Sequence, residues 1–130
     1  MAVEGEITVR VLIADSEWTF RRFLTDMLGK QKDLRVVGEA VDKDEALRLA
    51  DQLRPDVVLM DMNLQGGSLA ATRQIKSRFA KTRVIMLSLL RGESFEKIAV
   101  NNGADALIPK DDPISKILAA VRQEHASDAA

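Results

Sequence analysis

Five short apolar runs alternate with five amphipathic segments along this chain, and that alternation restricts the fold more than any other feature. The runs are Val9-Arg10-Val11-Leu12-Ile13-Ala14, Leu34-Arg35-Val36-Val37-Gly38, Val57-Val58-Leu59-Met60, Val84-Ile85-Met86-Leu87 and Ala106-Leu107-Ile108. All but the last are rich in β-branched or large apolar residues, as strands require. Four consecutive apolar residues leave a strand without a polar face, so the sheet it joins must be covered on both sides. Between the runs the apolar spacing is helical. Phe20, Phe23, Leu24, Met27 and Leu28 recur at i, i+3, i+4, i+7 and i+8, and Gly29 marks the stop. Asp42-Lys43-Asp44-Glu45 has capping-box spacing ahead of Ala46, Leu49, Ala50 and Leu53. A third helix is expected from Ser68 to Phe79, with Leu69, Thr72, Ile75 and Phe79 on one side. A fourth carries Phe95, Ile98 and Ala99 and ends at Asn102-Gly103. A fifth opens with Asp112-Pro113 and buries Ile114, Ile117, Leu118 and Val121. Five βα units with short loops and right-handed crossovers make an α/β fold, a doubly wound (βα)5 parallel sheet.

Composition narrows the function classes. The 130 residues suit one domain, read as residues 8–124 between an N-terminal tail, 1–7, and a C-terminal tail, 125–130. With 19 Lys+Arg against 20 Asp+Glu, no basic excess marks a nucleic-acid or membrane surface. The absence of cysteine excludes disulfides, thiolate metal sites and Cys nucleophiles. No apolar run approaches the ~18 residues of a membrane span, and the first residues lack a signal-peptide pattern. A cytoplasmic protein is the expectation.

Chemistry in open α/β sheets sits at the carboxyl ends of the strands. There the sequence places Asp15 and Ser16 after the first run, Asp61 after the third, Ser88 after the fourth and Lys110 after the fifth. Two carboxylates can hold a hard divalent cation such as Mg²⁺ through oxygen, with carbonyls and water completing the shell. Lysine supplies a point charge for phosphate oxygens, and a hydroxyl one more hydrogen bond. Asp61 could act as nucleophile toward phosphorus, with the metal and Lys110 neutralising the developing charge.

The chain resembles a receiver domain of a two-component response regulator, of the type that usually precedes a helix-turn-helix output domain. The matching stretches include Arg10 to Asp15, Val36 to Ala40, Ala46 to Ala50, Arg54-Pro55-Asp56-Val57-Val58-Leu59-Met60-Asp61, Ala71-Thr72-Arg73, Arg83 to Ser88 and Gly103-Ala104-Asp105. The resemblance implies a flavodoxin-like fold with strand order 2-1-3-4-5. It implies Asp61 as phosphoacceptor, Lys110 as the partner lysine and Ser88 as the switch hydroxyl. It also implies a Mg²⁺ site made by Asp15, Asp61 and the backbone carbonyl of Asn63. The partners it implies are a sensor histidine kinase, a second copy through the fourth/fifth-helix face, and a DNA-binding output domain absent from this chain. It implies a signalling module, not an enzyme.

Four departures from that pattern matter. Related receivers carry two adjacent acids after the first strand, the second being a direct metal ligand. Here that second residue is Ser16, read as the N-cap of the first helix, and Glu17 is the candidate to substitute as ligand. Leu64-Gln65-Gly66-Gly67 replaces a proline-containing loop, so the Asn63 carbonyl is expected to be less firmly held. Pro109 precedes Lys110, which marks the fifth strand as short or as an edge. Leu107 stands where many receivers have an aromatic residue. With Asp15 and Asp61 ionised and Lys110 protonated the cluster carries about −1, which predicts weak Mg²⁺ binding. The lone His125 and the Arg21-Arg22 and Lys30-Gln31-Lys32 charges read as solvated. Two other functions compete with a phosphoacceptor. One is a pseudo-receiver, a phosphate-independent interaction module favoured by Ser16 and the altered loop after Asp61. The other is an aspartyl-phosphate hydrolase, suggested by Asp61-Met62-Asn63 but needing its nucleophile on the first strand.

Overall fold

In a computed structural model the backbone is described for residues 8–129 and the side chains for residues 8–123. The expected N-terminal tail, 1–7, and the His125 side chain lie outside the described residues. The elements are β1 (Val9–Ala14), α1 (Trp18–Gly29), β2 (Leu34–Ala40), α2 (Lys43–Leu53), β3 (Val57–Asp61), α3 (Ser68–Arg78), β4 (Arg83–Ser88), α4 (Glu93–Asn101), β5 (Ala106–Pro109) and α5 (Ile114–Ala129). All strand pairs are parallel, in the order β2-β1-β3-β4-β5. α5 stays helical through the segment expected as a tail from 125 onward.

Strand alternation divides the core into two layers. Val11, Ile13, Leu59, Ile85 and Leu87 face one side and pack with Leu24 and Leu28 of α1 and Ile117 and Val121 of α5. Leu12, Val58, Met60, Val84 and Met86 face the other side, under Ala46 and Ala50 of α2, Ala71 and Ile75 of α3 and Ala99 of α4. β3 is buried at every residue, as its apolar run requires. Alanines dominate the α2–α4 layer, so those helices sit close to the sheet while the larger side chains come from the strands. Each large side chain removed from water contributes about 1.5–3 kcal/mol.

The ends of the helices follow local chemistry. Asp42 Oδ1 accepts from the Glu45 N–H (2.9 Å), and Glu45 Oε1 accepts from the Val41 N–H (2.8 Å), one residue earlier than a strict capping box. α4 closes at Asn102 and then Gly103 at φ +102°, where a side chain would be strained. Gly29, by contrast, is simply the last residue of α1, and Lys30 caps it in a right-handed conformation. Ile98, expected in the core, is exposed along with Val100, because α4 spends its inward face on Ala99. Pro109 lies at the free edge of the sheet, paired only with Ser88 of β4, as its missing N–H demands. No helix among the described residues is long and apolar enough to cross a membrane.

Thr72 is fully buried on α3, and its hydroxyl finds no hydrogen-bond partner among the described residues. Leaving a buried hydroxyl unmet costs about 1–3 kcal/mol. Thr72→Val keeps the shape and removes that cost. It should raise the urea midpoint at unchanged slope, by about 1 kcal/mol of stability.

Candidate functional site

The five strand-end residues singled out in the sequence do meet at one edge. Asp15 follows β1, Asp61 closes β3, Ser88 closes β4 and Lys110 follows β5. The Lys110 ammonium lies 2.9 Å from Asp15 Oδ2 and 3.3 Å from Asp61 Oδ1. All three are buried: Asp15 is 1% exposed, Asp61 6%, and the Lys110 side chain 8%. The remaining carboxylate contacts are backbone donors. Asp15 Oδ1 accepts from the Glu17 N–H (2.8 Å), and Asp61 Oδ1 accepts from the Asn63 N–H (3.0 Å). Burial pushes the Asp15 carboxyl above its ordinary value, against the lowering effect of the Lys110 and Glu17 hydrogen bonds, and the nearby Asp61 charge adds to the rise. Ser88 is buried, and its Oγ accepts from the Leu90 N–H (3.0 Å), turning the β4–α4 loop back over the strand end. Asp61, Asn63 and Lys110 line an open cavity of about 580 Å³ together with Ser16, Glu17, Phe20, Leu89 and Asp111.

One expectation about the first loop is corrected. Ser16 does not cap α1. Its hydroxyl donates to the Val41 carbonyl (2.8 Å) and accepts from the Gln65 N–H (3.0 Å), so it ties three loops together. The N-cap is Glu17, in extended backbone, with Oε1 accepting from the Phe20 N–H (3.2 Å). The longer acid reaches the first turn because the serine is committed elsewhere. The β3–α3 loop is also better held than its two glycines suggest. Gln65 O accepts from the Lys43 N–H (2.8 Å), the Ser68 hydroxyl donates to Met62 O (2.5 Å), and Leu64 is buried.

The sequence profile of the response regulator receiver domain matches residues 11–122. The chain belongs to this family. Over 116 residues it is 32% identical to the oxygen regulatory protein NreC of Staphylococcus aureus, covering 88% of this chain and 54% of that protein. The chain thus spans about half the length of the curated relatives it matches. Among solved structures it is similar to the receiver domain of the putative response regulator NarL from Mycobacterium tuberculosis (30% identity, TM-score 0.85, 90% and 95% of the two chains covered). It is also similar to a LuxR-family two-component response regulator from Aurantimonas sp. SI85-9A1 (28%, TM-score 0.86, 92% and 86% covered).

The receiver's edge includes residues that sequence reasoning assigned elsewhere. Arg21, read as a solvated charge, has a largely buried side chain that donates to the Asp15 carbonyl (2.8 Å) and to Glu39 (3.0 Å). Phe20, read as core, lies with its ring centroid 4.4 Å from the Lys110 ammonium. Arg91 bridges Asp111 (2.9 Å) and Asp112 (2.6 Å), joining the loops that follow β4 and β5. Each contact spans distant segments, so no local spacing announces it.

The receiver's donor set also bears on metal binding. Among the described residues no three His, Cys, Asp or Glu side chains gather as a metal cluster. Mg²⁺ needs fewer, because it keeps several waters and takes one or two carboxylates. Asp15 and Asp61 with the Asn63 carbonyl fit that requirement, while the Glu17 carboxylate is engaged at the helix cap.

Gly66 and Gly67 of the receiver's loop make a paired test. Both have positive φ, +93° and +112°. A Cβ at Gly66 would also stand 2.8 Å from Lys43 Cβ, whereas one at Gly67 meets nothing within 4 Å. Gly67→Ala should cost about 1 kcal/mol for backbone strain alone. Gly66→Ala should cost more and should speed amide exchange at Lys43, whose N–H is bonded to Gln65 O. Equal costs would show that the Gly66–Lys43 approach is unimportant.

Proposed function

We propose that this receiver accepts a phosphoryl group on Asp61 from a phosphohistidine of a sensor kinase and changes its partner contacts when it does. The observation that carries the reading is the buried lysine bridging two carboxylates beside an open cavity. An Asp61 carboxylate oxygen attacks phosphorus, and the bond from phosphorus to the donor imidazole nitrogen breaks. The bonding pair stays with that nitrogen, which takes a proton. Lys110 neutralises charge on the incoming phosphoryl oxygens, and Ser88, whose oxygen accepts from the Leu90 N–H, offers its O–H as a further donor. Asp15, Asp61 and the Asn63 carbonyl would hold a Mg²⁺ ion, which would supply further charge neutralisation for the transfer.

The receiver acts as a signalling module in the cytoplasm, not as an enzyme with a separate substrate. Its further partners are a second copy, through the face of α4 and α5, and a DNA-binding output domain. The pseudo-receiver reading draws on Ser16 and on the altered loop after Asp61. Asp61 and Lys110 in direct contact, with Ser88 at the neighbouring strand end, weigh against it.

Two measurements check this reading. Acetyl phosphate with Mg²⁺ should add one phosphoryl group to the wild type by mass and none to Asp61→Ala; an unmodified wild type at saturating donor would refute the phosphoacceptor role. Trp18, at the first position of α1, should report Mg²⁺ binding by fluorescence with a Kd in the millimolar range. Ser16→Asp should tighten it by about 10–100-fold. A submillimolar Kd for the wild type would contradict weak binding.

A further inference from the structure

We propose that Phe20 is a positioning residue for this transfer: its ring holds the Lys110 ammonium over Asp15 and Asp61. This rests on the reading of Asp61 as phosphoacceptor. Lysine carries its charge on a flexible four-carbon stem, so a lysine that must sit between two groups needs outside restraint. The restraint here is threefold. Asp15 and Asp61 take two sides of the ammonium at 2.9 and 3.3 Å, and the ring takes another at 4.4 Å from its centroid. A cation within about 6 Å of an aromatic face is attracted by the ring quadrupole, more so when water is excluded, as it is from the buried Lys110 side chain.

The ring is itself held. Its backbone N–H is capped by Glu17 Oε1 at 3.2 Å. Its face tilts against Phe23 with centroids 5.9 Å apart, and its body packs on the layer formed by β1, α1 and α5. Glu17 therefore acts on the site at one remove, by fixing the residue that fixes the lysine. A residue that only filled the core would not line the phosphoacceptor cavity, and Phe20 does.

The choice of a ring over a third carboxylate has a chemical consequence. When a phosphoryl group arrives on Asp61, the ammonium must turn from Asp15 toward new oxygens. A neutral π face lets the cation pivot with no further ion pair to break beyond that to Asp15 and adds no negative charge to repel the phosphoryl group.

The test compares Phe20→Leu, which keeps an apolar side chain without a π face, with Phe20→Tyr, which restores the ring. The Lys110 ammonium is followed by its ¹⁵N–¹H NMR signal without donor. Asp61 phosphorylation by acetyl phosphate with Mg²⁺ is followed in single-turnover experiments. Phe20→Leu should make the ammonium protons exchange about 3- to 10-fold faster and lower the limiting phosphorylation rate by a similar factor. The half-saturating donor concentration should stay unchanged, and Phe20→Tyr should return both values toward wild type. An unchanged ammonium signal in Phe20→Leu overturns the proposal, even if the rate falls, because the ring would then act on the donor. If the wild type takes no phosphoryl group, the phosphoacceptor reading fails, while the ammonium signal still decides whether the ring holds Lys110. Should Phe20→Leu not fold, Phe20→Met gives the same comparison.

Discussion

One ammonium group ties three strand ends of this sheet together. Lys110 reaches from β5 to Asp61 on β3 and to Asp15 beyond β1, a residue 95 positions away in sequence. Because β4 lies between β5 and β3, the lysine has to pass the end of that strand. Ser88, small and folded back onto Leu90, is what stands there. Without the cation, two buried carboxylates would face each other across a cavity, and like charges so placed cannot both stay ionised cheaply. The upward push on the Asp15 carboxyl comes first from its burial, and the nearby Asp61 charge adds to it. The same conflict is a resource for chemistry, since a carboxylate held close to a cation and short of water is ready to meet an electrophile.

The loops around the cavity are ordered by contacts among themselves. Ser16 binds Val41 and Gln65, Lys43 binds Gln65, and Asp42 and Gln65 form an isolated parallel bridge. A serine therefore does mechanical service where the family resemblance implies an acid for metal. The exchange lowers the negative charge of the site and fixes the position of the segment that follows Asp61.

The parallel sheet and the strand-end residues could be read from the chain because each depends on local pattern. The apolar run at 57–60 admits only a doubly covered strand, and Asp61 stands at its end for all to see. The strand order was carried by family resemblance, since periodicity says nothing of which strands are neighbours. Ser16 was misassigned as the cap because capping chemistry favours the shorter residue unless its hydroxyl is wanted elsewhere, and the bonds that want it come from residues 41 and 65. Phe20 and Arg21 were hidden for a similar reason. A helical stripe marks which residues face inward, but not whether the inward neighbour is an aliphatic side chain, a carbonyl or an ammonium. The exposure of Ile98 reflects the same limit, since only the packed helix shows how wide its inward face is.

The two open margins of the sheet are unequal. β2 presents seven residues along one margin, with Arg35 and Glu39 among them, whereas β5 presents four, ending in Pro109. A strand that is short and lacks an N–H near its end is a poor template for another chain. Growth of the sheet across that margin is therefore discouraged, and a macromolecule approaching the Lys110 side of the domain is met by side chains of α4 and α5 in place of free backbone. Contact there is decided residue by residue, and so can be made selective, where strand pairing would accept almost any extended segment.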